Sequence, residues 1–354
     1  MSSIDIAALA GLTARRVVTS GGHRAVSLER EYAFAIDDVW SAWTAPERTR
    51  RWLGELRGDL VVGGRVELCM SPPDSDVAVL TILACDAPER LVVRWEWPGE
   101  VDSFVDLRLC ALDAERTLLV LEHVALEPDK AHSYGPGWED FLLRLALNLA
   151  GDDPATLRWA EVEPVIDPQW LAAETASPSQ GSQGSAASRP SDWSDNRWPL
   201  VAAGDNGSSL VASRVVVADR DDVWSALTTA DRIGAWFGAV TGDLAIGGDV
   251  RIVFDGGAAS GTVRECDRSA GRIVLSWRWD HDGLDTTVSV SLVDVGAGRT
   301  RVIVRQDGVV GPTRGYAAGW AAYLGALERA LGGAPRSEQL WQAEWELAMA
   351  MLAP

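Results

Sequence analysis

Lysine is almost missing from this chain. Lys130 is the only one in 354 residues, and acidic residues outnumber basic ones 51 to 32, for a formal net charge of −19. So acidic a chain has no cationic stripe to neutralise phosphates, and neither nucleic acid nor an anionic membrane surface is expected as a partner. Cysteine is scarce too: Cys69, Cys85, Cys110 and Cys266 lack Cys-x-x-Cys spacing, so neither a disulfide framework nor a zinc site is expected. The four histidines, His23, His123, His132 and His281, show no metal-ligand spacing, and no Gly-rich loop joins a strand to a helix as phosphate cradles do. No metal, no cofactor and no catalytic nucleophile are expected. No run approaches the roughly 18 apolar residues of a membrane span. Arg15 and Arg16 follow the apolar Ile4 to Leu12 instead of preceding it, so no secretory signal is read and the expected location is cytoplasmic.

What is abundant is repetition. Asp38-Val39-Trp40-Ser41-Ala42-Trp43-Thr44 returns as Asp222-Val223-Trp224-Ser225-Ala226-Leu227-Thr228, an offset of 184 residues. Trp52 before Gly54 answers Trp236 before Gly238, and Gly58-Asp59-Leu60 with Gly63-Gly64 answers Gly242-Asp243-Leu244 with Gly247-Gly248. Trp95-Glu96-Trp97 then answers Trp277-Arg278-Trp279, and Gly137-Trp138 answers Gly319-Trp320, at an offset of 182. Changes of offset between motifs, and not inside them, mark two copies of one fold. A chain of this length also exceeds what one hydrophobic core usually supports. The expected division is an N-terminal segment 1–25, a first domain 26–176, a flexible Ser/Gly/Gln/Pro-rich linker 177–204 and a second domain 205–354.

Within each copy a strand is followed by two short helices, with Asp37 as the expected first N-cap, then by about six antiparallel strands. Parity puts Leu91, Val93, Trp95 and Trp97 on one face and Arg94 and Glu96 on the other; Ile273, Leu275, Trp277 and Trp279 repeat the pattern. One face is therefore expected to be apolar and the other wet. The period then changes to 3.6. Trp138, Phe141, Leu142, Leu145 and Leu149, and likewise Trp320, Tyr323, Leu324, Leu327 and Leu331, make one stripe of a long helix laid across the apolar face, with Gly-Trp expected to open it. Leu157 to Ala173 is expected to pack back on the first copy, and Glu338 to Leu352 to form a last helix.

At these motifs the chain resembles the SRPBCC (START-like, helix-grip) superfamily, and within it the domain family named after the C-terminal part of the activator of the heat-shock chaperone ATPase. The resemblance spans roughly Val26 to Gly151 and Leu210 to Gly333. It implies an α+β chain of two helix-grip domains, each a curved antiparallel sheet wrapped around a long C-terminal helix, with an apolar cavity between them. It does not imply chaperone activation, because no region of this chain matches the separate N-terminal domain of that activator.

The residues expected to line such cavities are Trp95, Trp97, His123, Tyr134 and Trp138 in the first copy, and Trp277, Trp279, Gln306, Tyr316 and Trp320 in the second. His123 and Gln306 each end an apolar row of a strand with a polar group, and a buried polar group needs a partner. The function expected is non-enzymatic binding of a small hydrophobic or aromatic ligand. The first copy is expected to bind better, because an imidazole titrates near neutrality and an amide does not. The alternatives are an enzyme of the polyketide cyclase or aromatase kind, which needs a proton-moving group inside the cavity, and a co-chaperone or protein-interaction module whose partner is a protein.

Overall fold

The computed structural model describes residues 4–20, 22–71, 76–175, 199–202, 207–254, 256–281, 283–311 and 313–352. They fall into two compact units, the first over residues 4–175 and the second over 199–352. Most of the expected linker lies outside the described residues.

The first unit runs α1 (Ile6–Ala10), β1 (Thr13–Ser20), β2 (His23–Tyr32), α2 (Ile36–Thr44), α3 (Pro46–Thr49), β3 (Glu55–Arg57), β4 (Arg65–Ser71), β5 (Asp76–Asp86), β6 (Arg90–Glu96), β7 (Ser103–Ala111), β8 (Thr117–Leu126), α4 (Ala131–Ala150) and α5 (Trp159–Thr175). Its antiparallel sheet has the order β1-β2-β8-β7-β6-β5-β4-β3. The second unit repeats it: β9 (Leu200–Ala202), β10 (Ser208–Val216), α6 (Arg220–Thr228), α7 (Ala230–Gly234), β11 (Ala239–Gly242), β12 (Asp249–Phe254), β13 (Gly257–Asp267), β14 (Arg272–Trp279), β15 (Asp285–Gly296), β16 (Arg299–Val309), α8 (Thr313–Leu331) and α9 (Glu338–Met351). Its sheet order, β11-β12-β13-β14-β15-β16-β10-β9, is the same order read from the other edge. Each is a helix-grip fold. No helix among the described residues is long and apolar enough to cross a membrane.

The repeated motif residues hold the helix pair together through the same bonds twice. Trp52 Nε1 donates to the Ala42 carbonyl at 3.0 Å and Trp236 Nε1 to that of Ala226 at 3.1 Å. Arg48 donates to the carboxylate and carbonyl of Asp38, and Arg232 to those of Asp222. The Thr44 and Thr228 hydroxyls donate back to the carbonyls of Trp40 and Trp224. The glycine after the tryptophan is required by close approach: a Cβ at Gly54 would lie 2.6 Å from the Cys69 oxygen, and one at Gly238 2.7 Å from that of Val253.

Several expectations need correction. Helix α2 begins one residue before Asp37; its N-cap is Ala35, without a side-chain bond, and Asp37 and Asp38 lie in the first turn, where carboxylates favour the helix dipole. Residues 13–20 of the expected N-terminal segment form an edge strand paired along its length with β2, and residues 200–202 of the expected linker pair with β10. The long helices start at Ala131 and Thr313, well ahead of Gly-Trp, so Tyr134 and Tyr316 belong to their first turns. Pro136 lies inside α4, and beside it a Cβ at Gly135 would lie 2.6 Å from the Trp170 ring of α5. Lacking one lets the two helices meet.

The outer face is wet along β4 of the first copy, where exposed Arg65 and Glu67 alternate with buried Val66 and Leu68, and likewise in the second copy. There β12 alternates exposed and buried residues from Asp249 to Phe254. In the first copy all of β8 is buried, and the charged residues outside pair with one another. Asp106, 0% exposed, takes two bonds of 2.9 Å from Arg90, and Arg108 reaches Glu122 at 2.5 Å. Buried charges demand such pairing because an isolated one is strongly disfavoured.

Candidate functional site

The inner face of each sheet, where β6, β7 and β8 (or β14, β15 and β16) meet the long helix, brings the expected residues together. In the first copy Trp95 lies 5.5 Å from His123, 5.4 Å from Trp138 and 6.4 Å from Tyr134 between ring centroids, and Trp97 stacks beside it at 6.5 Å. The Tyr134 ring covers the imidazole at 4.4 Å.

His123 is fully buried and both ring nitrogens are engaged. Trp138 Nε1 lies 2.9 Å from Nδ1, and Ser103 Oγ lies 2.8 Å from Nε2. An indole N–H can only donate, so Nδ1 is the acceptor and the proton sits on Nε2, facing the serine. Burial pushes the pKa down to about 3. His123 is therefore a neutral group, and the expectation that it titrates near neutrality is overturned by desolvation. Tyr134 closes the outer side: its hydroxyl accepts from Trp95 Nε1 at 3.2 Å and donates to Glu100 at 2.8 Å, while Lys130 holds the other Glu100 oxygen at 2.7 Å. Burial, then the Glu100 carboxylate, raises the Tyr134 pKa above its usual value.

The second copy contains the same relay built from an amide. Trp320 Nε1 donates to Gln306 Oε1 at 2.7 Å, Gln306 Nε2 donates to Thr286 Oγ1 at 2.9 Å, and Thr286 donates to the Trp277 carbonyl at 3.0 Å. The strand register is equivalent as well, Val105 opposing His123 and Val288 opposing Gln306.

Above this relay the copies diverge. Trp277, Trp279, Gln306, Tyr316 and Trp320 all line an open-mouthed cavity of about 630 Å3 within the second unit. Phe237, Phe254, Tyr323, Trp341 and Trp345 complete its aromatic walls, and His281, Arg336 and Glu338 stand among the lining groups. The rings support each other: Phe237 stacks on Trp320 at 5.5 Å, Trp341 sits 5.4 Å from Tyr323, and Phe254 5.1 Å from Trp279. Gly315 and Gly319 of α8 also line it, and a Cβ at either would meet no atom within 4 Å. Tyr316 packs against the cluster that contains Leu210 and Val309. The expected preference is for the first copy, whereas this cavity opens over Gln306 of the second.

Sequence reasoning missed Ser103 and Thr286, although the repeat carried a signal, a hydroxyl at matching positions facing His123 and Gln306. It also missed the role of α9. Trp341 lines the cavity, whereas its repeat partner Trp159 is 41% exposed, so equivalence in sequence did not carry equivalence in place. Among the described residues no group of three His, Cys, Asp or Glu side chains is arranged to hold a metal.

The sequence model of the family described as "Activator of Hsp90 ATPase homolog 1-like protein" matches residues 33–150 and again 217–332. Among solved structures, CalU16 from Micromonospora echinospora is 33% identical, covering 46% of this chain and 96% of its own, with a TM-score of 0.39. DynU16, of the dynemicin biosynthetic locus, is 19% identical and covers 87% of this chain and 98% of its own, with a TM-score of 0.31. An HSP90 activator from Plasmodium falciparum is 20% identical, covering 35% of this chain and 96% of its own at a TM-score of 0.31. No protein of curated function matches the chain.

Proposed function

The chain belongs, twice over, to the family of Activator of Hsp90 ATPase homolog 1-like proteins, and from that premise we propose that it is a non-enzymatic binding protein for a small apolar molecule containing a planar ring, taken up by the second copy. One observation carries this reading: the cavity of about 630 Å3 walled by tryptophan, phenylalanine and tyrosine rings over the buried Gln306. Its size falls within the roughly 300–1,000 Å3 of small-molecule sites, and predominantly apolar walls with few polar groups are what such sites use. Flat rings gain from offset-stacked and edge-on packing against indoles beyond the burial of their area.

The polar groups at the centre favour binding over proton transfer. Gln306 has no titratable atom, and it is held by bonds to Thr286 and Trp320. His123, its counterpart, has both nitrogens engaged and is held neutral. A cyclase-type reaction would need one of them to exchange a proton with substrate.

The test is titration of the full-length protein with naphthol, followed by tryptophan fluorescence and calorimetry, together with native mass spectrometry of protein taken from its own host. Saturable quenching with one ring per chain is expected. Absence of binding to naphthol and of any retained small molecule removes this reading.

A further inference from the structure

Behind the aromatic wall of the second copy lies another space, of about 90 Å3. Phe237, Trp277 and Trp320 line both the outer cavity and this inner one, so the two share a wall. The remaining lining is largely aliphatic, with Leu227, Ile252, Val290, Val304 and Leu324 among it.

The origin of the inner space is visible in the repeat. Leu227 stands where the first copy has Trp43, the one residue that differs between the two seven-residue motifs. In the first copy Trp43 is buried, its ring 4.8 Å from Trp52 and 6.3 Å from Trp138. On the sheet, the cross-strand pair Leu107–Leu121 of the first copy becomes Val290–Val304 in the second, in the same register. Three truncations therefore converge on one point. Truncations of this kind leave a void that the surroundings close only in part, and a void with such walls stays dry and accepts apolar groups.

We propose that the inner chamber is a subsite for a short aliphatic branch of the ligand whose ring occupies the outer cavity, with Leu227 determining specificity for that branch. This rests on the binding function assigned to the second copy. The rings of Phe237, Trp277 and Trp320 stand in mutual contact, with centroids 5.5 to 5.9 Å apart, so the branch reaches the chamber only where they part. The ligand class is thus a fused-ring aromatic with a short alkyl substituent, distinct from a bare ring or a long acyl chain.

The experiment compares naphthol with its ethyl and butyl derivatives by calorimetry on the full-length protein and on two variants that restore first-copy residues, Leu227→Trp and Val290→Leu, each checked for a cooperative melt. In the wild type, affinity is expected to rise about fourfold for each methylene that enters the chamber. In Leu227→Trp, naphthol itself should bind as in the wild type while the gain from the chain disappears; Val290→Leu should shorten the gain without removing it. Should butylnaphthol bind both variants as it binds the wild type, the branch lies in the outer cavity and the subsite is refuted. Binding of naphthol with no gain from the chain in the wild type also refutes the subsite and leaves the binding function standing. Failure of every probe overturns both.

Discussion

His123 and Gln306 occupy the same point of two separate sheets and make the same pair of bonds: each accepts the indole N–H of a long-helix tryptophan, at 2.9 and 2.7 Å, and each faces a hydroxyl on the neighbouring strand. The histidine with its proton on Nε2 is the analogue of an amide, one acceptor and one donor without charge. The glutamine of the second copy therefore reports the protonation state required of the histidine in the first.

His123→Gln should accordingly be tolerated, whereas His123→Leu leaves the Trp138 N–H and the Ser103 hydroxyl without partners and should cost about 1–3 kcal/mol. Gln306→Leu should behave likewise in the second copy. Urea unfolding measures both, and equal effects of the Gln and Leu variants at position 123 would mean that the relay contributes nothing.

A pH dependence follows from the same residue. The unfolded histidine binds its proton with a pKa near 6.5, while the folded one is held down to about 3. The unfolded state thus binds more protons between these values, so the stabilisation is fully present above about pH 6.5 and declines as the pH falls toward about 3, by at most about 1.4 kcal/mol per unit. His123→Gln removes this component. The difference in unfolding free energy between wild type and His123→Gln should therefore shift in favour of the variant from pH 7 to pH 5, and a constant difference contradicts the neutral assignment.

Gly319→Leu is expected to separate binding from folding. The new side chain enters open space on the cavity wall and removes a glycine from a helix interior, where glycine costs roughly 1 kcal/mol relative to alanine. Melting temperature should hold or rise while naphthol binding is lost. Retained binding would place the ligand elsewhere.

Trp138→Ala and Trp320→Ala should each weaken only their own copy. Trp138 is packed on every side and should cost about 3–5 kcal/mol. Trp320 already faces a cavity and should cost less, with its effect enlarged by bound ligand. Equal losses in the absence of ligand would argue that the cavity is filled in solution.

Residues 1–176 and 205–354 are expected to fold separately, each containing a complete grip. Because residues 200–202 pair with β10, a fragment starting at residue 199 should melt above one starting at 205. Failure of either half to show a cooperative transition removes the two-domain proposal.

Much of this protein was legible without coordinates because its signals are local and periodic. Parity placed Trp95, Trp97 and His123 on one face, the 3.6 period placed Trp138 and Leu142 on another, and the repeat made each assignment twice. What only the tertiary structure decided depends on how much volume neighbouring elements leave between them. Trp43 and Leu227, or Trp159 and Trp341, align in sequence, yet a ring that fills a core in one copy is replaced by empty space in the other, and helix α9 carries its tryptophan to a cavity wall while Trp159 stands exposed. Nor does a pattern of polar residues say whether their face meets water, as the buried Asp106 shows. Sequence period determines direction along an element; burial, protonation and cavity volume are sums over neighbours distant in the chain, and only the packed fold fixes them.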